Sequence, residues 1–156
     1  MGGDVPKQFL PVGGRPVLMR TIDAFRSVYP DIQVVLVLPA SQQEYWRELC
    51  ACYHYTQPHL VADGGETRYH SVSHGLALIP SNAESVVGVH DGVRPFVSAD
   101  TIRTCYEAAE RCGAVVPVTP CVETVRQLLP NGSSCTVPRD AYRLVQTPQT
   151  FRLTNI

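Results

Sequence analysis

Residues 33–38, Gln-Val-Val-Leu-Val-Leu, run straight into Pro39. An apolar run of this length, rich in β-branched side chains and without polar alternation, reads as a strand covered on both faces. Strands of that kind belong to parallel sheets, which need crossover helices between successive strands. The flanking sequence supplies them. Residues 16–28 carry Val17, Leu18, Ile22 and Phe25 at helical spacing, with Pro16 in the first turn. Ser41 opens a predicted helix through residue 53, with Glu44 three residues on as a capping box. Residues 59–62 form a short strand, Asp63-Gly64-Gly65 a tight turn, and residues 67–78 a helix. Residues 86–90 are a further buried strand. Ser98 or Asp100 then starts a helix to about residue 111, closed by Gly113, and residues 114–118 are again a strand. This strand–helix alternation predicts one α/β domain over residues 1–156, doubly wound around a mostly parallel core.

After Pro120 the pattern changes. Residues 122–129 and 134–138 are strand-like, and Pro130-Asn131-Gly132 lies between them; Asn-Gly in that setting signals a hairpin. A two-stranded hairpin is marginal alone, so an arm over residues 121–139 is expected to pack on something, either its own domain or a partner subunit.

Composition removes several classes. Of 156 residues, 44% are hydrophobic and 17% charged, which argues against a disordered chain. The net charge of −1 gives no basic excess for nucleic acid, and no apolar stretch approaches a membrane span. The first residues lack a secretion-signal pattern, so a cytoplasmic location is the expectation. Six cysteines contain no Cys-x-x-Cys pair and read as reduced thiols.

Chemistry concentrates in Val89-His90-Asp91-Gly92-Val93-Arg94-Pro95-Phe96. In open α/β sheets ligands bind beyond the carboxyl ends of strands, which is where this run falls. A carboxylate there suits Mg²⁺, which often bridges to substrate phosphates. Gly92 permits close backbone approach, and Arg94 can fork onto a phosphate. A strand ending in a turn, with Asp91 as a cap and Arg94 as its surface partner, accounts for the same residues.

Three more segments fall in register with this one: Pro6-Lys7-Gln8-Phe9, the run from Asp63 to Val72, and Gln146-Thr147-Pro148-Gln149-Thr150-Phe151. Together, with the hairpin in its place, they resemble the 2-C-methyl-D-erythritol 4-phosphate cytidylyltransferase family over nearly the whole chain. The resemblance implies a Rossmann-like nucleotidyltransferase, a three-layer sandwich with a protruding β-hairpin arm. It implies transfer of CMP from CTP to a sugar-alcohol phosphate, with release of pyrophosphate. Such transfer depends on positioning and charge neutralisation around phosphates.

By that resemblance Lys7 matches a catalytic lysine and Asp91 the Mg²⁺ ligand. Gly64, Gly65, Glu66, Ser71 and Gly92 match nucleotide-binding positions. Arg94, Thr124 and Arg139 match residues of the acceptor site, Arg139 being also catalytic and reaching in from the partner arm of a homodimer. Arg68 reads as an anchor for its loop. Members of the family begin with a strand and a loop of the form Gly-x-Gly-x-Arg-Met, of which Met1-Gly2-Gly3 resembles only the end, and they continue beyond a position such as Ile156. The resemblance therefore implies a shortened chain with two exposed strand edges. Two other readings stand beside it: a sister enzyme forming CDP-ribitol from ribitol 5-phosphate, and a non-catalytic nucleotide-binding protein.

Overall fold

The computed structural model describes residues 5–80 and 85–155. A single 3-10 turn, Lys7–Phe9, comes first and drives Phe9 into the core, where it is 2% exposed. Two short strands, β1 (Pro11–Val12) and β2 (Arg15–Pro16), pair antiparallel across Gly13 and Gly14. These glycines hold φ of 55° and 75°, the left-handed region that other residues avoid. Helix α1 (Val17–Val28) follows and buries Leu18, Met19, Ile22 and Phe25 along one face.

Strand β3 (Val35–Leu38) leads into α2 (Ala40–Cys52). The predicted capping box does not form. Pro39, with φ of −52°, is itself the N-cap, so the helix is already running when it reaches Ser41. Glu44 pairs instead with Arg47 at 2.8 Å. Strand β4 (Leu60–Asp63) lies parallel to β3 in the register Val35↔Leu60 to Leu38↔Asp63. Helix α3 (Arg68–Leu76) is capped by the Thr67 hydroxyl, which accepts from the His70 N–H. Strand β5 (Val86–Val89) precedes α4 (Ala99–Cys112). Ser98 rather than Asp100 caps α4, and Gly113 ends it at φ 87°.

The strand expected over residues 114–118 divides in two. Strand β6 (Ala114–Val115) stays in the sheet, whereas β7 (Val118–Pro120) turns away to pair elsewhere. Pro117, which has no N–H for a ladder, sits at the break. The hairpin is β8 (Val125–Leu128) against β9 (Ser134–Val137), with Gly132 at φ 81° in its turn. Strand β10 (Arg143–Val145) pairs with β7, and β11 (Gln149–Arg152) lies antiparallel between β5 and β6.

The result is α/β layering. Leu36 and Leu38 of β3 share a core with Phe9, Leu18, Met19, Ile22, Trp46 and Tyr55 on one face. Val37 meets α3 on the other, so close that a Cβ on Gly75 would lie 2.9 Å from it. Helix α4 covers β5, β6 and β11 and touches α1. Each large side chain buried in this way contributes about 1.5–3 kcal/mol.

Strands β3 and β5 do not pair with each other. Between them runs a groove of about 520 Å³, lined by all four residues of both strands and reached at one end by Gln8 and Asp91. Backbone groups alternate sides along a strand. Leu60 N–H bonds to Val34 O and Gly64 N–H to Leu38 O, so Val35 and Val37 turn their N–H and C=O groups into the groove. Leu153 N–H bonds to Ser85 O, which by the same alternation turns Val86 and Gly88 the same way.

Candidate active site

Strands β3, β4 and β5 deliver their carboxyl ends to one rim. The Gly64 N–H donates to Leu38 O at 2.9 Å, joining the ends of β4 and β3. Arg68, the first residue of α3 after β4, reaches Asp91, which follows β5. The loops after these strands therefore form one wall-to-wall mouth at the end of the groove.

Asp91 is the centre of this mouth. Its side chain is 35% exposed and receives two guanidinium groups. Arg94 Nε donates to Oδ2 at 2.8 Å, and Arg68 Nη2 stands 3.6 Å from Oδ1. The Asp91 N–H donates to Thr147 Oγ1 at 3.4 Å, and the Arg94 N–H to Asp91 O at 3.0 Å. One carboxylate under two cations leaves a local positive excess, the electrostatic setting for polyphosphate oxygens.

His90 supports this turn from beneath. Its ring packs edge-on against Phe25 at 4.8 Å, and Nε2 lies 3.0 Å from Arg94 O. A carbonyl only accepts, so Nε2 carries the proton of a neutral ring. Nδ1 is buried without a partner among the described residues. Burial accordingly pulls the His90 pKa below its ordinary value, against the opposing pull of the Arg94 carbonyl and of Asp91. Gly92 presses on α1: its carbonyl lies 2.9 Å from the Thr21 hydroxyl, and a Cβ on it would stand 2.9 Å from Leu18 Cδ1.

On the opposite side, Gly65 is locked by Ser71. The Gly65 N–H donates to Ser71 Oγ at 3.0 Å, and an added Cβ would come 2.4 Å from His70 Cβ. The Ser71 hydroxyl thus holds the loop, while the half-buried Ser71 also lines the groove. Glu66 stands exposed on the same loop. Lys7 is exposed on the 3-10 turn, which Gln8 fastens to α2 through Gln42 at 2.6 Å and Phe9 through stacking on Trp46.

Asp91, Gly92, Arg68 and Ser71 line one groove. Gly64 and Gly65 border it through their bonds to Leu38 and Ser71, and Arg94 through its bond to Asp91. Thr124 and Arg139 belong to the arm instead. Both are exposed, and Arg139 Nη1 donates to Val122 O at 2.7 Å within its own hairpin. Sequence reasoning assigned no role to Thr21, His90, Gln146 or Thr147, although the last three lie in motifs it singled out. The contacts that give them roles span 71 and 56 positions for Thr21 and Thr147, and 52 for Gln146 with Arg94.

Metal-binding chemistry here rests on Asp91 alone, since no group of three or more His, Cys, Asp or Glu side chains that could hold a metal ion occurs among the described residues. A single half-exposed carboxylate fits a hard cation that takes its other oxygens from phosphate and water.

Comparison with known proteins points one way. The family described as IspD, 2-C-methyl-D-erythritol 4-phosphate cytidylyltransferase, matches residues 1–156. A curated protein of that name from Phocaeicola vulgatus is 60% identical over 153 residues, covering 98% of this chain and 68% of its own length. Another from Bacteroides thetaiotaomicron is 58% identical over 153 residues, with the same two shares. The crystal structure of 4-diphosphocytidyl-2C-methyl-D-erythritolsynthase from Anaerococcus prevotii is similar at a TM-score of 0.82 and 28% identity, covering 95% of this chain and 67% of that one.

Proposed function

Because the chain belongs to the 2-C-methyl-D-erythritol 4-phosphate cytidylyltransferase family, we propose that it transfers CMP from CTP to 2-C-methyl-D-erythritol 4-phosphate. The acceptor phosphate oxygen attacks the α-phosphorus, and pyrophosphate leaves. The observation that carries the reading is the Asp91 carboxylate beneath Arg94 and Arg68, at the mouth that three strand ends share. A phosphoryl-type transfer asks the protein mainly for positioning and for cations around the reacting phosphates, and this mouth supplies both.

In this reading Gly64, Gly65, Glu66 and Ser71 hold the cytidine, with Gly92 beside the nucleotide. The bond from Gly65 to Ser71 fixes the loop for that task. Lys7, exposed next to the groove-lining Gln8, neutralises charge at the α-phosphate. Asp91 would hold Mg²⁺, which supplies Lewis-acid neutralisation of the nucleotide phosphates when bound. Arg94 binds the acceptor phosphate. Thr124 and Arg139 complete the acceptor site from the arm of a second copy. The arm suits such an interface: Val122 is 72% and Leu128 80% exposed. A cytoplasmic setting accords with the six free thiols.

The test is Asp91→Asn in the full chain. Turnover is expected to fall by about a hundredfold or more while the melting temperature holds, in keeping with loss of charge stabilisation at a reacting phosphate. Near-normal turnover at saturating Mg²⁺ sinks the assignment of Asp91. CTP is expected to outcompete UTP, because a wrong base leaves buried polar groups unpaired; equal use of both displaces the base pocket from the Gly64–Ser71 loop.

A further inference from the structure

Arg94 is held from two sides, and the second hold has no part in the reading above. Its Nε donates to Asp91, and its Nη1 donates to Gln146 Oε1 at 2.6 Å, across 52 positions of sequence. Gln146 is itself anchored. Its N–H donates to Pro117 O at 2.8 Å, and it is followed by Thr147, which is 9% exposed, and by the fully buried Pro148. Thr147 Oγ1 in turn accepts the Asp91 N–H. The segment that links β10 to β11 therefore grips the Asp91–Arg94 turn twice, once at the backbone and once at the guanidinium.

A guanidinium carries five N–H donors in a planar fork. With Nε committed to Asp91 and one Nη1 hydrogen to Gln146, the plane of the fork is fixed. Among the described residues Nη2 has no partner, which leaves that edge to a ligand. An arginine held by Asp91 alone could pivot about that single bond, and its fork would meet a phosphate in many orientations. The neutral amide of Gln146 fixes the plane without adding a negative charge that would repel the phosphate. From this geometry we infer that Gln146 is a positioning residue, which sets the Arg94 guanidinium for the acceptor phosphate. The inference rests on the assignment of Arg94 to that phosphate.

Kinetics in the full chain separate the two claims. Gln146→Leu keeps the bulk and removes the acceptor atom. The KM for 2-C-methyl-D-erythritol 4-phosphate is expected to rise about tenfold, the scale of one hydrogen bond to a charged group. The KM for CTP and kcat are expected to stay within about twofold, since the acceptor phosphate is held alike in the ground and transition states. Arg94→Ala is expected to raise the acceptor KM further, and Gln146→Leu added to Arg94→Ala to change it no more. That non-additivity is the mark of a residue acting through Arg94. If Arg94→Ala raises the acceptor KM and Gln146→Leu does not, the positioning role is wrong. If the two losses simply add, Gln146 acts on its own and the inference is equally overturned. If Arg94→Ala leaves the acceptor KM unchanged, the phosphate assignment of Arg94 fails first and takes the inference with it. Should Gln146→Leu fail to fold, Gln146→Asn, which keeps the amide one methylene short of Arg94, is read against the same outcomes.

Discussion

Close packing gives single atoms large effects at this site. A methyl group at residue 65 would meet His70 Cβ at 2.4 Å and the His70 carbonyl carbon at 2.9 Å. One of these contacts is backbone, so Gly65→Ala must shift the loop, at a cost on the scale of overpacking, about 1–3 kcal/mol. CTP affinity is expected to fall at least about tenfold, as read by calorimetry, with α3 retained by circular dichroism. Unchanged CTP affinity would remove this loop from the nucleotide site. Tyr106, which also lines the groove, tests its packing. Its hydroxyl sits against Gly88, and burial, with Tyr29 nearby, pushes its pKa up from 10.0 to about 12. A phenol with a raised folded pKa contributes stability below its unfolded pKa and loses it as pH climbs toward the folded value. Chemical-denaturation stability is therefore expected to drop between about pH 10 and 12, and Tyr106→Phe to flatten that drop. The residue types of this site were legible in the sequence as motifs. Their pairings were not, because Arg68 with Asp91, or Gln146 with Arg94, meet only when separate strands and loops converge on one rim.

Elements were legible wherever local chemistry alone decides them. The runs over residues 33–38 and 86–90 became strands β3 and β5, Ser98 became a cap, and Gly113 closed its helix. Local rules failed where a proline intervened. Pro39 started α2 ahead of the Ser41 box, and Pro117 split the strand after Gly113 between two ladders. The groove between β3 and β5 gives an element-scale prediction for amide hydrogen exchange. Val35, Val37 and Val86 point their N–H groups into it with no ladder partner among the described residues, whereas Leu36, Leu38, Val87 and Val89 point theirs to β4 or β11. The first set is expected to exchange faster than the second by about tenfold or more, since unpaired edge amides lack the protection of a ladder. Equal protection of both sets would mean that the edges are paired. The hairpin yields another. Arg126 ties it across to Ser134 and Thr136, while Val122 and Leu128 remain outside any core. Removing residues 121–139 is expected to convert dimers to monomers in sedimentation and to weaken acceptor binding while CTP binding persists. An arm-deleted protein that still sediments as a dimer rules the clasp out.

For the molecule as a whole, strands β3, β4 and β5 bring their carboxyl ends to one mouth, which Gln8, Arg68, Ser71, Asp91 and Gly92 line. Val118 and Val145, paired and exposed where β7 and β10 flank the arm, extend the apolar residues of the arm toward its base, where a second copy is proposed to sit. Sequence by itself determined the layering, because buried β-branched runs and amphipathic segments each have one stable way to cover their apolar faces. It also determined the family, because four short motifs in one order identify a shared site. Tertiary structure decided what those motifs do to one another. It placed two arginines on Asp91, turned the Ser71 hydroxyl onto Gly65 and brought Gln146 to Arg94. Such contacts depend on how far strand ends advance and how loops close over them, and no local pattern encodes that distance.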